Sequence, residues 1–238
     1  MEKFYLEKAS LKRKEEALAY LKEFEMHNSI VNGDSGLSKM ATDYEGWLKY
    51  LDSLLDDEKR PSNRCPGIEY FLIRENDDKL IGMINLRWNL SVEMLLHGGH
   101  IGYSILPSQR RKGYNKINLY LCLLKAKKMG LEKVLLTADD NNLGSVKTIL
   151  SLGGVLENKI TEDGAIIGRY WINTHDAILK NKDLLKNVSA ERIEKNQVLI
   201  NVKEKCNNSN TFNIKMNLVK ELTECLRQMG KKVKVSYF

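Results

Sequence analysis

The sequence predicts an α/β protein: a mixed sheet with helices on its faces, followed by a small C-terminal α/β extension. Two observations carry this. Apolar residues follow helical spacing up to about residue 55, then fall into short turn-bounded runs from 69 to 106. From 112 to 172 helical and strand-like stretches alternate, which places helices across a sheet.

Lys3–Glu7 is a candidate first strand. Ser10 is a candidate N-cap for a helix striped by Leu11, Ala17, Leu18, Leu21 and Phe24. His27–Met40 is polar, contains Gly33 and Gly36, and reads as loop. Asp43 opens a second helix through Tyr44, Trp47, Leu48, Leu51, Leu54 and Leu55, stopped by the segment Pro61–Gly67. Glu69–Arg74 and Leu80–Trp88 form antiparallel strands about the turn Glu75–Asp78. His100–Leu106 is a strand ended by Pro107, and Lys112–Met129 a helix closed by Gly130. Lys133–Ala138, wholly apolar at its centre, fits a strand buried on both faces. A helix over Asn142–Leu152 and two strands, Val155–Lys159 and Ile166–Ile172, complete the unit.

The 238 residues are 42% hydrophobic and 29% charged, ordinary for a water-soluble globular chain. The sequence contains neither an apolar run long enough for a membrane helix nor a signal-peptide core, so the expectation is a cytoplasmic protein. Cys65, Cys122, Cys206 and Cys225 are scattered, and no histidine stands at zinc-ligand spacing from them. That pattern points to free thiols and no metal. The net charge of +7 is uneven: residues 176–238 hold 13 Lys/Arg against 7 Asp/Glu. This break and a restart of pattern after Thr174 put a domain boundary at 173/174.

The chemistry-bearing segment is Gly98–Asn115 (GGHIGYSILPSQRRKGYN). A strand runs through a short polar loop straight into a helix, with Arg110, Arg111 and Lys112 beside Gly113 where the helix opens. Free N–H groups at a helix start, aided by the helix dipole, favour an anion there. Gly113 lets a bulky ligand approach the backbone. No Gly-x-x-x-x-Gly-Lys-Ser/Thr is present, so this is a diphosphate cradle distinct from the P-loop.

This segment resembles the acetyl-CoA loop of the GNAT acetyltransferases, Arg/Gln-x-x-Gly-x-Gly/Ala. Arg110-Arg111-Lys112-Gly113-Tyr114-Asn115 matches it except at the last position. Gly99–Ile105, Leu136–Lys147, Gly153–Asn158 and Arg169–Ile172 also resemble a bacterial branch of that superfamily, in the right order. The likeness covers residues 1–173 and is strongest from 69 to 172.

The resemblance implies a GNAT acyl-CoA acyltransferase fold and an acetyl-CoA-dependent N-acetyltransferase. Acetyl would pass to a primary amine of a small molecule or peptide by direct attack on the thioester. It further implies that the strand before the loop ends in a bulge and splays from the next strand. The pantetheine arm would lie in that gap, on the main chain of Ile105 and Leu106, with Tyr103 nearby. The N–H groups of Arg111 to Asn115, helped by the basic side chains, would hold the diphosphate. Asn142 and Ser145 match the Asn-x-x-Ala/Ser that touches the arm from the following helix.

An alkyl ammonium must lose its proton before attack. His100, at a level where some branches place a glutamate, is the first candidate base, or simply a histidine that bonds a loop. Glu93 is the second, with His97 of similar standing. Ile149 stands where many family members carry a thiolate-protonating tyrosine. Tyr103 or Tyr170 would act instead, or the thiolate leaves unassisted. Ile149 and Asn115 also keep open a CoA-binding or partner-binding module without turnover. The loops Asn28–Met40 and Trp88–Gly98 would build the acceptor pocket, and their residues name no ligand.

The extension, 174–238, reads as a charged helix (Ala177–Lys195), a strand (Gln197–Val202), an amphipathic helix (Lys215–Met229) and an edge-like strand (Lys232–Phe238). It is too small to fold alone, so it is expected to pack on the main domain or on a second subunit, in a monomer or homodimer. Nucleic-acid binding through its basic excess is the weakest reading, since it offers few aromatics and no such motif.

Overall fold

The computed structural model describes residues 1–189 of the chain. The architecture is mixed α/β, with strands β1 (Phe4–Lys8), β2 (Gly67–Arg74), β3 (Lys79–Arg87), β4 (Ile101–Ile105), β5 (Lys133–Asp139), β6 (Val155–Glu162) and β7 (Ala165–Asn173). The helices are α1 (Lys14–Met26), α2 (Tyr44–Ser53), α3 (Tyr114–Lys128), α4 (Leu143–Ser151) and α5 (Thr174–Lys180). The strands form two sheets, ordered β1-β2-β3-β4 and β5-β7-β6, and every ladder within them is antiparallel.

The two faces of the first sheet bury different partners. Phe71, Ile73, Leu80 and Met83 pack with Tyr20 and Phe24 of α1 and with Trp47 and Leu51 of α2. Leu72, Ile84, Leu86 and Ile101 pack with Ile117, Tyr120 and Leu121 of α3. The Leu135–Leu136 stretch of β5 is fully buried, as its apolar run predicts. A bulge at Leu72/Ile73 in the β2–β3 ladder preserves this division of faces.

Asp43 caps α2 as predicted, its carboxylate accepting from the Gly46 N–H at 2.8 Å. Ser10 makes no side-chain cap. The chain enters α1 through a 3-10 turn, Leu11–Arg13, which leaves Leu11 exposed and puts Tyr20 into the buried stripe. Arg13 is buried there among Glu7, Glu16 and Asp78, tying β1 and α1 to the β2–β3 turn. Leu55 lies beyond the end of α2 and is exposed.

Beyond the expected boundary at 173/174 the described chain packs on the unit before it. Ala177 and Ile178 of α5, with Leu185 and Val188 after it, belong to the same core as α3. Ser189 N–H donates to the Phe4 carbonyl at 2.9 Å. The charged helix expected over Ala177–Lys195 is instead α5, Thr174–Lys180, followed by a 3-10 helix at Lys182–Asn187; residues 190–195, and the other elements expected after them, lie outside the described residues.

Candidate active site

β4 and β5 lie side by side but share main-chain hydrogen bonds at one end only. His100 N–H donates to Leu135 O at 2.7 Å, and Gly99 bridges Leu136. Past that point the strands part, and Tyr103 spans the gap to α4, its hydroxyl 2.8 Å from Ser145 Oγ. The gap opens into a cleft of about 1500 Å³, lined by the loop after α1, by β4, by the α3 N-terminus and by the start of α4.

β4 keeps unbroken register with β3 from Ile101 to Ile105, so the expected bulge is absent and the parting of β5 alone makes the gap. His100 O accepts from Arg87 N–H of β3, and Leu106 N–H donates to Ile81 O of β3. By strand alternation Tyr103 and Ile105 turn their main-chain groups the other way, toward the gap. Leu106 was expected to offer its backbone to the cleft; instead it is buried, and its carbonyl also accepts from Gln109 N–H.

At the α3 N-terminus, Arg111 and Gly113 adopt left-handed backbone, φ 65° and 82°. This turns the main-chain N–H groups of Arg111 to Asn115 outward, and they have no acceptor among the described residues. A Cβ at Gly113 would meet nothing within 4 Å, so the glycine faces open space. The flanking side chains divide. Arg110 folds back as a brace, with Nε on Ile105 O (3.2 Å), a terminal nitrogen on Ser29 Oγ (2.8 Å) and the guanidinium over the Phe24 ring. Lys112 bonds Gln109. Tyr114 packs its ring on Phe4 and bonds Glu2, so its side chain is turned away from the helix opening. Asn115 reaches toward Thr148 of α4 at 3.5 Å, spanning the two helices. Arg111 is left exposed at the rim.

Asn142 caps α4, accepting from Ser145 N–H at 3.1 Å, and both residues line the cleft. Ile149 is fully buried beneath Gly154. Of the tyrosines weighed as its substitute, Tyr103 lines the cleft, whereas Tyr170 is buried against Gly168. Burial raises the Tyr103 hydroxyl above its ordinary value, so it stays protonated at neutral pH.

The base candidates separate as clearly. His100 does not line the cleft. Its Nδ1 accepts from Leu135 N–H at 2.9 Å, and its ring lies against Trp171. Burial, with Arg87 adding to it, lowers its pKa to about 4. A neutral imidazole whose Nδ1 accepts carries its proton on Nε2 and has no free lone pair to offer a substrate. Glu93 and His97 line the rim and are exposed, His97 Nδ1 standing 3.4 Å from Glu162.

Two acidic or hydroxylic groups escaped the sequence reading. Glu69 of β2 is buried to 1% exposure and bonds Ser35 of the loop at 2.6 Å; Ser35 lines the cleft. A charge at a core-facing position of an apolar strand is the signal that would have found Glu69.

Residues 37–153 match the family model described as Acetyltransferase (GNAT) family. Comparison with curated proteins finds no match. Among solved structures, ribosomal-protein-S5-alanine acetyltransferase from Vibrio fischeri is similar at 18% identity and TM-score 0.56, over 73% of this chain and 94% of that one. RimJ of Mycobacterium smegmatis, solved with CoA-disulfide, is similar at 13% identity and TM-score 0.56, over 76% and 92%. Spermidine N-acetyltransferase from Vibrio cholerae, solved with CoA and spermine, is similar at 12% identity and TM-score 0.53, over 74% and 98%. Residues 37–153 thus match a GNAT acetyltransferase domain, and the chain shares the fold of these acetyltransferases.

Proposed function

We propose that the chain is an acetyl-CoA-dependent N-acetyltransferase that acetylates a primary amine of a small molecule or peptide. The observation that carries the reading is the row of unengaged N–H groups from Arg111 to Asn115, opening onto the cleft between β4 and α4. That row suits a diphosphate, and an open Gly113 leaves room for it. Acetyl-CoA supplies an activated thioester whose thiol is a good leaving group.

The chain's own groups then take defined parts. Main-chain groups of Tyr103 and Ile105 line the gap where an extended arm bonds like a strand. Arg111 adds charge at the rim. The Tyr103 hydroxyl, held by Ser145, is placed to give a proton to the departing thiolate. The amine enters from the side walled by the loop 28–40 and the turn around Glu93 and His97.

The test is thiol release from acetyl-CoA with a panel of amines that includes spermidine and an alanyl peptide amide. Turnover with one class establishes the activity and its substrate. A second reading, a CoA-binding module, is favoured by the buried Ile149 in place of an acidic hydroxyl. Tight acetyl-CoA binding without turnover on any amine selects it.

A further inference from the structure

Glu69, Asn85 and Gly102 stand opposite one another across β2, β3 and β4, with Arg87 one pleat further along. Their side chains share the α1/α2 face of the sheet. Core residues fill that face up to Phe71 and Met83; beyond them it turns polar, beneath the loop that follows α1. The loop is pinned there. Gly33 lies directly on Gly102 of β4, Trp47 Nε1 donates to Ser35 O at 3.2 Å, and Leu37 is fully buried.

Ser35 is held at φ 46°, an uncommon backbone for a residue with a side chain. The pinning directs its hydroxyl onto Glu69 Oε2. The other oxygen, Oε1, is buried and has no hydrogen-bond partner among the described residues. Among those residues no ion pair compensates the carboxylate either. Arg87 is the nearby cation, and its own Nε is also buried without a partner. A carboxyl buried this completely, with one oxygen unsatisfied, is costly to keep for structure alone. Ser35 both hydrogen-bonds the carboxylate and lines the cleft.

We infer that Ser35 and Glu69 form a proton relay that activates the acceptor amine, with Ser35 touching the amine and Glu69 positioned behind it. The inference rests on the acetyltransferase reading and goes beyond it in naming the path of the proton. The ammonium passes a proton to Ser35 Oγ as Ser35 passes its own to Glu69 Oε2. The nitrogen bonds the acetyl carbon, the C–S bond breaks, and the thiolate takes a proton from Tyr103, which solvent restores. The amide nitrogen loses its second proton to water, and Glu69 returns its proton to solvent through Ser35 as product leaves.

The relay works only while Glu69 is ionised. Burial pushes the Glu69 carboxyl well above the usual carboxylate range, and Asp34 adds to this; the Ser35 hydroxyl and Arg87 pull it back. Tyr20, Tyr44 and Cys122 also sense its charge and stay protonated through neutral pH, because burial raises all three. Glu69 is therefore a carboxyl near the relay whose titration is displaced upward from the ordinary carboxylate range.

The test uses the full chain, acetyl-CoA, and the panel amine that gives the fastest thiol release. Wild-type kcat/KM should rise with pH along a limb that Glu69→Gln removes. Glu69→Gln and Ser35→Ala should each lower kcat/KM on the order of 100-fold or more, with acetyl-CoA affinity kept. Glu69→Asp should recover part of the loss. A carbon-13 titration of the glutamate carboxyls, assigned by Glu69→Gln, should show Glu69 titrating above the ordinary range. If Glu69→Gln keeps the limb and the rate, or Glu69 titrates as an ordinary glutamate, the relay is overturned while the acetyltransferase reading stands. If wild type binds acetyl-CoA and acetylates no amine, both fail.

Discussion

Gly33 rests on Gly102 so closely that a Cβ added to Gly33 would meet the Gly102 carbonyl oxygen at 2.3 Å. Loop backbone and strand backbone are in direct contact, and Gly33 has φ 73°, which a side chain resists. The loop between α1 and α2 is thereby fixed as a wall of the cleft, with Ser35 two residues along.

Gly33→Ala should therefore lower stability by about 1–3 kcal/mol and lift the loop. Thiol release should fall, because Ser35 is displaced, while acetyl-CoA binding at the α3 end changes little. Calorimetric titration beside a thermal melt separates the two effects. Unchanged melting and turnover would show that the loop is not held by this contact.

Tyr103→Phe keeps the ring and removes the hydroxyl that meets Ser145. We expect kcat for thiol release to fall by roughly 10- to 100-fold, a modest value for proton transfer because a thiolate is a fair leaving group. Acetyl-CoA affinity should hold. A wild-type kcat in the variant means that the thiolate leaves unassisted.

His100 makes the fold acid-sensitive. Its pKa is lowered to about 4 in the folded chain, against about 6.5 when unfolded. The unfolded chain thus binds more protons between those values. The contribution is complete above about pH 6.5 and lost as pH falls toward 4, by at most about 3 kcal/mol. Melting temperature should drop over that window in wild type, and less in His100→Gln. His100→Gln should also retain most of its turnover, since the histidine does not face the cleft. A large loss of kcat with normal melting would restore it as a base.

Glu69 has the opposite linkage. Its folded pKa is raised, so the stability it contributes is full at low pH and declines as pH rises through the folded value. Glu69→Gln should melt higher than wild type at pH 8, with the advantage vanishing near pH 5. A variant less stable at every pH would mean that the carboxylate is structurally satisfied.

Most of the fold was legible because it rests on local patterns. Asp43 before a helical stripe, Gly130 after one, and the apolar Lys133–Ala138 run each appear where the sequence predicts. The strand, glycine and helix start of the proposed anion seat were legible for the same reason, since they are contiguous in sequence. What was missed depends on contacts between distant segments. His100 reads as a base until Leu135 N–H, thirty-five residues on, occupies its Nδ1. Arg110 reads as a phosphate ligand until Ser29 and Phe24 claim its guanidinium. Glu69 gains its meaning only from Ser35, brought over the sheet by a glycine contact that periodicity does not encode.

Titrating acetyl-CoA into the full-length protein and into Gly113→Trp, by calorimetry, tests the central claim most directly. The glycine's outlook is open, so the larger side chain should leave the melt largely intact apart from about 1 kcal/mol of left-handed strain, while covering the N–H groups of Arg111 to Asn115. The account predicts stoichiometric binding to the wild type and none to the variant. Equal affinity in the two, or no binding to the wild type, would contradict it.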